Sequence, residues 1–105
     1  MLPRTSRLPR AIRLKSPHRV TSNDFIFFYS KNDLSISRFR MIISKKLSKK
    51  AVDRNHMRRI FYTFLRENLT NIPFGYDIVC VPKHPYSQLE KDQENNVLLV
   101  LKGIA

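Results

Sequence analysis

The residues with the clearest chemistry form a basic block between positions 38 and 59. This block holds nine Lys and Arg side chains against a single acid, Asp53. Arg presents a fork of donors that fits a phosphate, Lys presents a compact charge, and an Asn side chain can hold a nucleotide backbone or base edge. The block therefore indicates a contact surface for a nucleic acid. The side chains that we expect to form it are Arg38, Arg40, Lys45, Lys46, Lys49, Lys50, Arg54, Asn55, His56, Arg58 and Arg59.

No group of side chains in the sequence matches a catalytic or metal site. The three histidines, His18, His56 and His84, stand apart with no carboxylate at ligand spacing, and Cys80 lies in an apolar segment typical of a buried strand. The sequence also has no phosphate-binding loop, dinucleotide fingerprint or zinc motif. We therefore expect no catalytic residues and no metal ligands on the protein itself.

The net charge of +12 over 105 residues is confined to the basic block and an N-terminal arm, residues 1–20, which carries six basic and no acidic side chains. Focused positive potential of this kind indicates a polyanionic partner. No apolar run approaches the ~20 residues that span a bilayer, so we expect no membrane partner. A single Cys favours a reducing compartment such as the cytoplasm.

The chain is long enough for one domain, which we place at residues 21–105, after the arm. Three prolines, Pro3, Pro9 and Pro17, prevent a long helix in the arm. Its Arg-rich, acid-free composition also fits an organelle transit peptide, although the prolines disfavour the amphipathic helix of such peptides. The periodicity of the rest predicts a mixed α/β fold, with strands at 25–29, 38–44 and 76–81 and helices at 49–68 and 86–102.

The elements around the basic block have one apolar and one cationic side. In the predicted strand over 38–44, Phe39, Met41 and Ile43 fall on the face opposite the arginines. In the helix over 49–68, Lys50, Arg54 and Arg58 stand four apart, and the repulsion between them is a cost that bound phosphates would relieve. The predicted apolar stripe of this helix consists of Val52, Met57, Ile60, Phe61 and Phe64.

The basic block resembles the signature of the protein component of bacterial ribonuclease P, R-x-G-x-x-(V/I)-S-K-K-x-x-(K)-A-V-x-R-N-x-x-(K/R)-R. The segments LPRAIRL and DIVCVPK are also similar to family segments, so the resemblance spans nearly the whole chain. The matching positions are Arg38, Ile43, Ser44, Lys45, Lys46, Lys50, Ala51, Val52, Arg54, Asn55, Arg58 and Arg59.

The resemblance implies both a function and a fold. Family members assemble with a large catalytic RNA that removes the 5′ leader from precursor tRNA, and the chemistry belongs to that RNA and its Mg²⁺. Ribonuclease P RNA and precursor tRNA are thus the implied partners, with no small-molecule substrate. The implied fold is a two-layer α/β (α+β) sandwich, in which a small mixed sheet is packed by a central basic helix and a C-terminal helix, with a left-handed βαβ crossover.

The leader is implied to lie in a cleft between sheet and helix. Phe25, Phe27 and Tyr29 are the candidates for stacking on its bases, and core packing is the alternative for at least two of them.

The sequence departs from the family pattern at several positions. Arg40 stands in place of a Gly, His56 ends the usual Arg-Asn-Arg trio, and Tyr62 and Thr63 replace an Arg-Glu pair. The family's first helix has no counterpart between the arm and the strand at 25–29. We expect the arm to fold back over the sheet as a partial substitute through Leu8, Ile12 and Leu14, leaving Ile42 or some aromatic residues exposed and the leader cleft shallow.

Two other functions are compatible with a small basic α/β chain. A ribosomal or other structural RNA-binding protein of the same fold is the stronger alternative, and only the motif in the basic block argues against it. A DNA-binding regulator is disfavoured because the sequence offers no second helix at helix-turn-helix spacing.

Overall fold

The protein, described here by a computed structural model over residues 3–104, contains four strands and two α-helices. In chain order these are β1 (His18–Thr21), β2 (Phe25–Lys31), β3 (Arg38–Met41), α1 (Ala51–Glu67), β4 (Tyr76–Pro82) and α2 (Lys91–Lys102). Short 3-10 turns lie at Arg4–Ser6 and Leu69–Asn71.

The four strands form one mixed sheet in the order β1-β2-β4-β3. β2 is antiparallel to both of its neighbours, whereas β3 and β4 run parallel. Parallel neighbours need a long crossover connection, and α1 lies in that connection. The apolar strand β4 is therefore central, and β3, which begins the basic block, is an edge strand.

Both helices pack on the same face of the sheet. The core joins Phe25 and Phe27 of β2 with Phe61 of α1 and Leu101 of α2, and all four side chains are fully buried. The rings of Phe25 and Phe61 lie 4.9 Å apart between centroids. The predicted two-layer α+β sandwich is thus confirmed, and neither α-helix of residues 3–104 lies over the opposite face of the sheet.

Two strand ends are shifted, since β3 ends at Met41 and β2 extends to Lys31. Three larger differences separate the predicted elements from the observed ones. β1 was not predicted, because its four residues show no apolar alternation. In α1, Val52 is 74% exposed and does not belong to the apolar stripe, whereas Leu65 does. Finally, α2 begins at Lys91 rather than near residue 86, because Glu90 and Gln93 form a capping box that fixes its first turn.

The arm docks along the free edge of β3 and then crosses onto the open face of the sheet. The Leu8 amide donates to the Phe39 carbonyl at 2.8 Å, and Leu8 is buried. Arg40 then donates from Nη1 to the carbonyls of Pro9 (2.9 Å) and Ile12 (3.2 Å). Residues 15–24 contain β1 and no helix, and Ile42 is 47% exposed. The expected fold-back of the arm is confirmed for Leu8, whereas Ile12 and Leu14 are only half-buried. The expected shallow leader cleft stays a prediction.

Candidate nucleic-acid interface

The loop that precedes α1, residues 44–50, carries four exposed lysines and is called the basic loop below. Arg54 donates from Nη1 to the carbonyls of Ser48 and Lys49, both at 2.9 Å. The Leu47 amide also donates to Ser44 Oγ at 3.1 Å. These bonds fix the loop backbone, so that its lysines point outward beside the first turn of α1. The predicted contact residues Lys45, Lys46, Lys49 and Lys50 lie together here.

The basic side chains of α1 divide between two sides of the helix. His56 and Arg59 line a groove of about 380 Å³ that also contains the acidic residues Glu67 and Glu94. Arg58 lies on the other side, with Nη1 donating to Asn55 Oδ1 at 3.2 Å, and it lines a groove beside β3. The predicted surface is therefore not one flat face, and its Arg58 side is the more strongly positive.

Arg38 does not belong to this surface, contrary to the sequence prediction. Its Nε and Nη2 atoms each lie 2.8 Å from a carboxylate oxygen of Asp77. The Arg38 side chain is 19% exposed and that of Asp77 is 7% exposed, and Asn32 also donates to Asp77 at 2.9 Å. The pair neutralises its own charge inside the protein, and it joins β3 to β4 instead of binding phosphate.

The prediction that Phe25 and Phe27 form a stacking platform is wrong. Both side chains are fully buried under the helices, so neither ring offers a face to a base. Tyr29 is half-buried on the same side of the sheet, with ring contacts to His18 (5.2 Å) and Tyr76 (6.0 Å). Its role in binding the leader stays a prediction.

The aromatic residue on the open face of the sheet is Phe28, which the sequence analysis did not select. The strand register places Arg19, Phe28, Val79 and Arg40 side by side across all four strands. We call these four residues the cross-sheet row. Because neighbouring strands lie about 4.8 Å apart, the row spans roughly 14 Å. It has an aromatic ring near its middle and a guanidinium on each edge strand.

Two arginines of the arm were also missed. Arg7 and Arg10 line the groove beside β3 together with Arg40 and Arg58. The acid-free composition of the arm was the signal that points to them, but the sequence does not indicate that the arm meets α1.

The Cys80 thiol and the Tyr86 hydroxyl pack inside the protein and form no reactive site. Burial raises the pKa of the Cys80 thiol, so that it stays protonated. Burial likewise raises the pKa of Tyr86, whose hydroxyl donates to the Met57 carbonyl at 2.8 Å. In the described part of the chain, no three His, Cys, Asp or Glu residues lie close enough to hold a metal ion. Neither α-helix of residues 3–104 combines the length and apolar composition that crossing a bilayer requires.

Comparison with known proteins identifies the family. Residues 5–102 match the family model described as Ribonuclease P. The chain belongs to the ribonuclease P protein family. The ribonuclease P protein component of Fusobacterium nucleatum is 39% identical over 70 residues, which cover 67% of this chain and 62% of that protein. The component of Petrotoga mobilis is 31% identical over 87 residues, which cover 79% of this chain and 73% of that protein.

Solved structures of ribonuclease P proteins share the fold. The protein from Thermotoga maritima superposes with a TM-score of 0.77 at 26% identity, and the match covers 86% of each chain. The protein from Staphylococcus aureus gives a TM-score of 0.65 at 25% identity, over 84% of this chain and 80% of that one. The alternative of a ribosomal protein gains no support from these comparisons.

Proposed function

We propose that this chain is the protein subunit of ribonuclease P and acts in the cytoplasm. It binds the catalytic RNA and the 5′ leader of precursor tRNA, and it assists endonucleolytic removal of the leader. The observation that carries this proposal is the basic loop with the start of α1, a dense cationic surface in a chain of the ribonuclease P family. The cleavage chemistry and most of the Mg²⁺ are assigned to the RNA subunit.

The role of the basic loop follows from electrostatics. Two RNA molecules that assemble bring their phosphates together, and the repulsion falls when fixed cations lie between them. The four lysines of the loop and the N-terminal end of α1 concentrate positive potential at one place. The protein therefore replaces part of the Mg²⁺ that the RNA needs for substrate binding.

The cross-sheet row is the proposed platform for the leader. Aromatic side chains stack on bases irrespective of sequence, and arginines beside them hold the backbone phosphates. Phe28 is flanked by Arg19 on one edge strand, and by Val79 and Arg40 toward the other. The arm lies over part of this face, because Arg40 holds the carbonyls of Pro9 and Ile12 and Val79 is buried. The half-buried Phe28 ring is therefore the part of the row that we assign to base stacking. We expect a leader preference weaker by one or two stacking contacts of ~1–3 kcal/mol each.

Reconstitution tests the proposal. The protein is mixed with ribonuclease P RNA and labelled precursor tRNA at low and at high Mg²⁺. At low Mg²⁺ it should stimulate cleavage at the mature 5′ end, and the stimulation should shrink at high Mg²⁺. The protein without RNA should not cleave. Cleavage by the purified protein alone, or no stimulation at low Mg²⁺, would contradict the proposal.

A further inference from the structure

A groove beside the outer edge of β3, where the arm docks, is strongly cationic. It has a volume of about 440 Å³, and none of the residues that line it is acidic. The arm contributes Arg7 and Arg10, β3 contributes Arg40, and α1 contributes Arg58. We call this the edge groove. Its volume lies in the range of pockets that hold small ligands, about 300–1,000 Å³, and its charge restricts the ligand to an anion.

Tyr62 gives the edge groove a neutral hydrogen-bond donor. The hydroxyl oxygen accepts the Met41 amide at 3.1 Å, which leaves the hydroxyl proton to donate. Burial raises the pKa of Tyr62 and outweighs the opposite effect of the Met41 amide, so the proton is retained at neutral pH. A hydroxyl among guanidiniums is suited to a phosphate oxygen.

The edge groove connects two surfaces already described. Arg40 belongs both to the cross-sheet row and to the groove, while Arg58 lines the groove from α1 and donates to Asn55, another predicted contact residue. A nucleic-acid strand that passes from the sheet to the helix crosses this groove. An isolated small anion would gain nothing from that continuity, so the arrangement favours a polymer.

Three segments that are distant in the sequence meet in the groove. The arm contributes Arg10, β3 contributes Arg40, and α1 contributes Tyr62. Arg40 uses Nη1 to hold the arm carbonyls of Pro9 and Ile12, and this contact places Arg10 beside α1. The groove therefore depends on the docked arm.

We propose that the edge groove binds a phosphodiester group of single-stranded RNA, through the guanidiniums of Arg10 and Arg58 and the hydroxyl of Tyr62. The proposal rests on the proposed function, since the ligand is RNA. Arg40 acts as a positioning residue, because its Nη1 holds the arm.

The first test compares two arginines of the arm. Arg10 lines the edge groove, whereas Arg13 is exposed on the same arm and does not line it. Binding of a ten-nucleotide single-stranded RNA is measured against salt. Arg10→Ala should lower the slope of log K against log salt by about 0.7, the value of one single-strand phosphate contact. Arg13→Ala should leave the slope nearly unchanged, and equal slopes for the two variants would overturn the proposal.

The second test reads the groove directly by NMR. A phosphate that accepts a hydrogen bond from the Tyr62 hydroxyl polarises that hydroxyl, so the Met41 amide resonance should shift when the same RNA is added. Tyr62→Phe should abolish the Met41 response and weaken binding several-fold. If that variant does not fold, the wild-type Met41 shift decides alone. A silent Met41 amide, while the amides of the basic loop respond, would mean that the groove is empty.

The final comparison separates this proposal from the proposed function and identifies the RNA. Arg10→Ala and Arg13→Ala are tested with ribonuclease P RNA, and then with precursor tRNA bound to the reconstituted complex. A loss specific to Arg10→Ala in either assay supports the groove and names the RNA that supplies the phosphate. An active complex in which the two variants behave alike contradicts the groove alone. A wild-type protein that binds the oligonucleotide in the groove but does not assemble with ribonuclease P RNA contradicts the proposed function alone.

Discussion

Phe28→Ala is the substitution that most directly tests the leader platform. The Phe28 ring is half-buried on the open face of the sheet and makes no ring contact with the core aromatics. One lost base stack costs about 1–3 kcal/mol, which corresponds to a 5-fold to 140-fold weaker affinity. We expect this loss for precursor tRNA and not for mature tRNA, because only the former carries a leader.

The assay measures the dissociation constants of both tRNAs with the reconstituted complex. Phe74→Ala is the matched control, because that side chain is 67% exposed and lies outside the cross-sheet row. Phe27→Ala should instead destabilise the fold, since removing a fully buried Phe typically costs about 3–5 kcal/mol of stability. Thermal unfolding of each variant separates folding from binding. A folded Phe28→Ala protein with unchanged leader preference would refute the platform.

Three further predictions concern charge. Arg58→Ala should lower the slope of log K against log salt for ribonuclease P RNA by roughly 0.7–0.9, one phosphate contact; an unchanged slope would remove Arg58 from the interface. Asp77→Ala should reduce the free energy of unfolding by about 1.5–3 kcal/mol, because it removes the charged hydrogen-bond partner of the partly buried Arg38; denaturant unfolding measures this, and a loss under 1 kcal/mol would contradict it. The hydrogen bond between His84 and the Pro85 carbonyl raises the pKa of His84, and the contact with the Asp24 carboxylate at 2.7 Å is the second cause. The stability that protonated His84 gains from these contacts is complete below about pH 6.5 and is lost as the pH rises through the raised pKa. His84→Gln should flatten the melting temperature between pH 5 and 9, and an identical profile would show that the contact does not contribute.

Several features of the fold could be predicted because they depend on local periodicity. The alternation of Phe39, Met41 and Ile43 correctly predicted that all three side chains are buried, since a strand places every second side chain on one face. The stripe of α1 was correct at Met57, Phe61 and Phe64, which are buried over the sheet, but it omitted the buried Leu65. It failed at Val52, because the first turn of α1 does not reach the sheet.

Other features depend on contacts between distant segments, which periodicity does not report. The aromatic run at 25–29 is apolar on both faces, so the sequence contains no signal that selects Phe25 and Phe27 for the core and leaves Phe28 on the open face. The pairing of Arg38 with Asp77 joins residues 39 positions apart, and it converts a predicted phosphate ligand into a structural one.

The sequence by itself determined the charge pattern, the order of the principal elements and the family, because composition, spacing and motif are local properties of the chain. Tertiary structure decided which cations remain available. It turned Arg38 toward Asp77 and Arg54 toward the basic loop, and it brought the arm beside β3 so that Arg10 and Arg58 line one groove. The physical reason is that a cationic side chain already bonded within the protein has less capacity to bind a phosphate. Which side chains are bonded in this way is decided only when the strands pair and the arm docks.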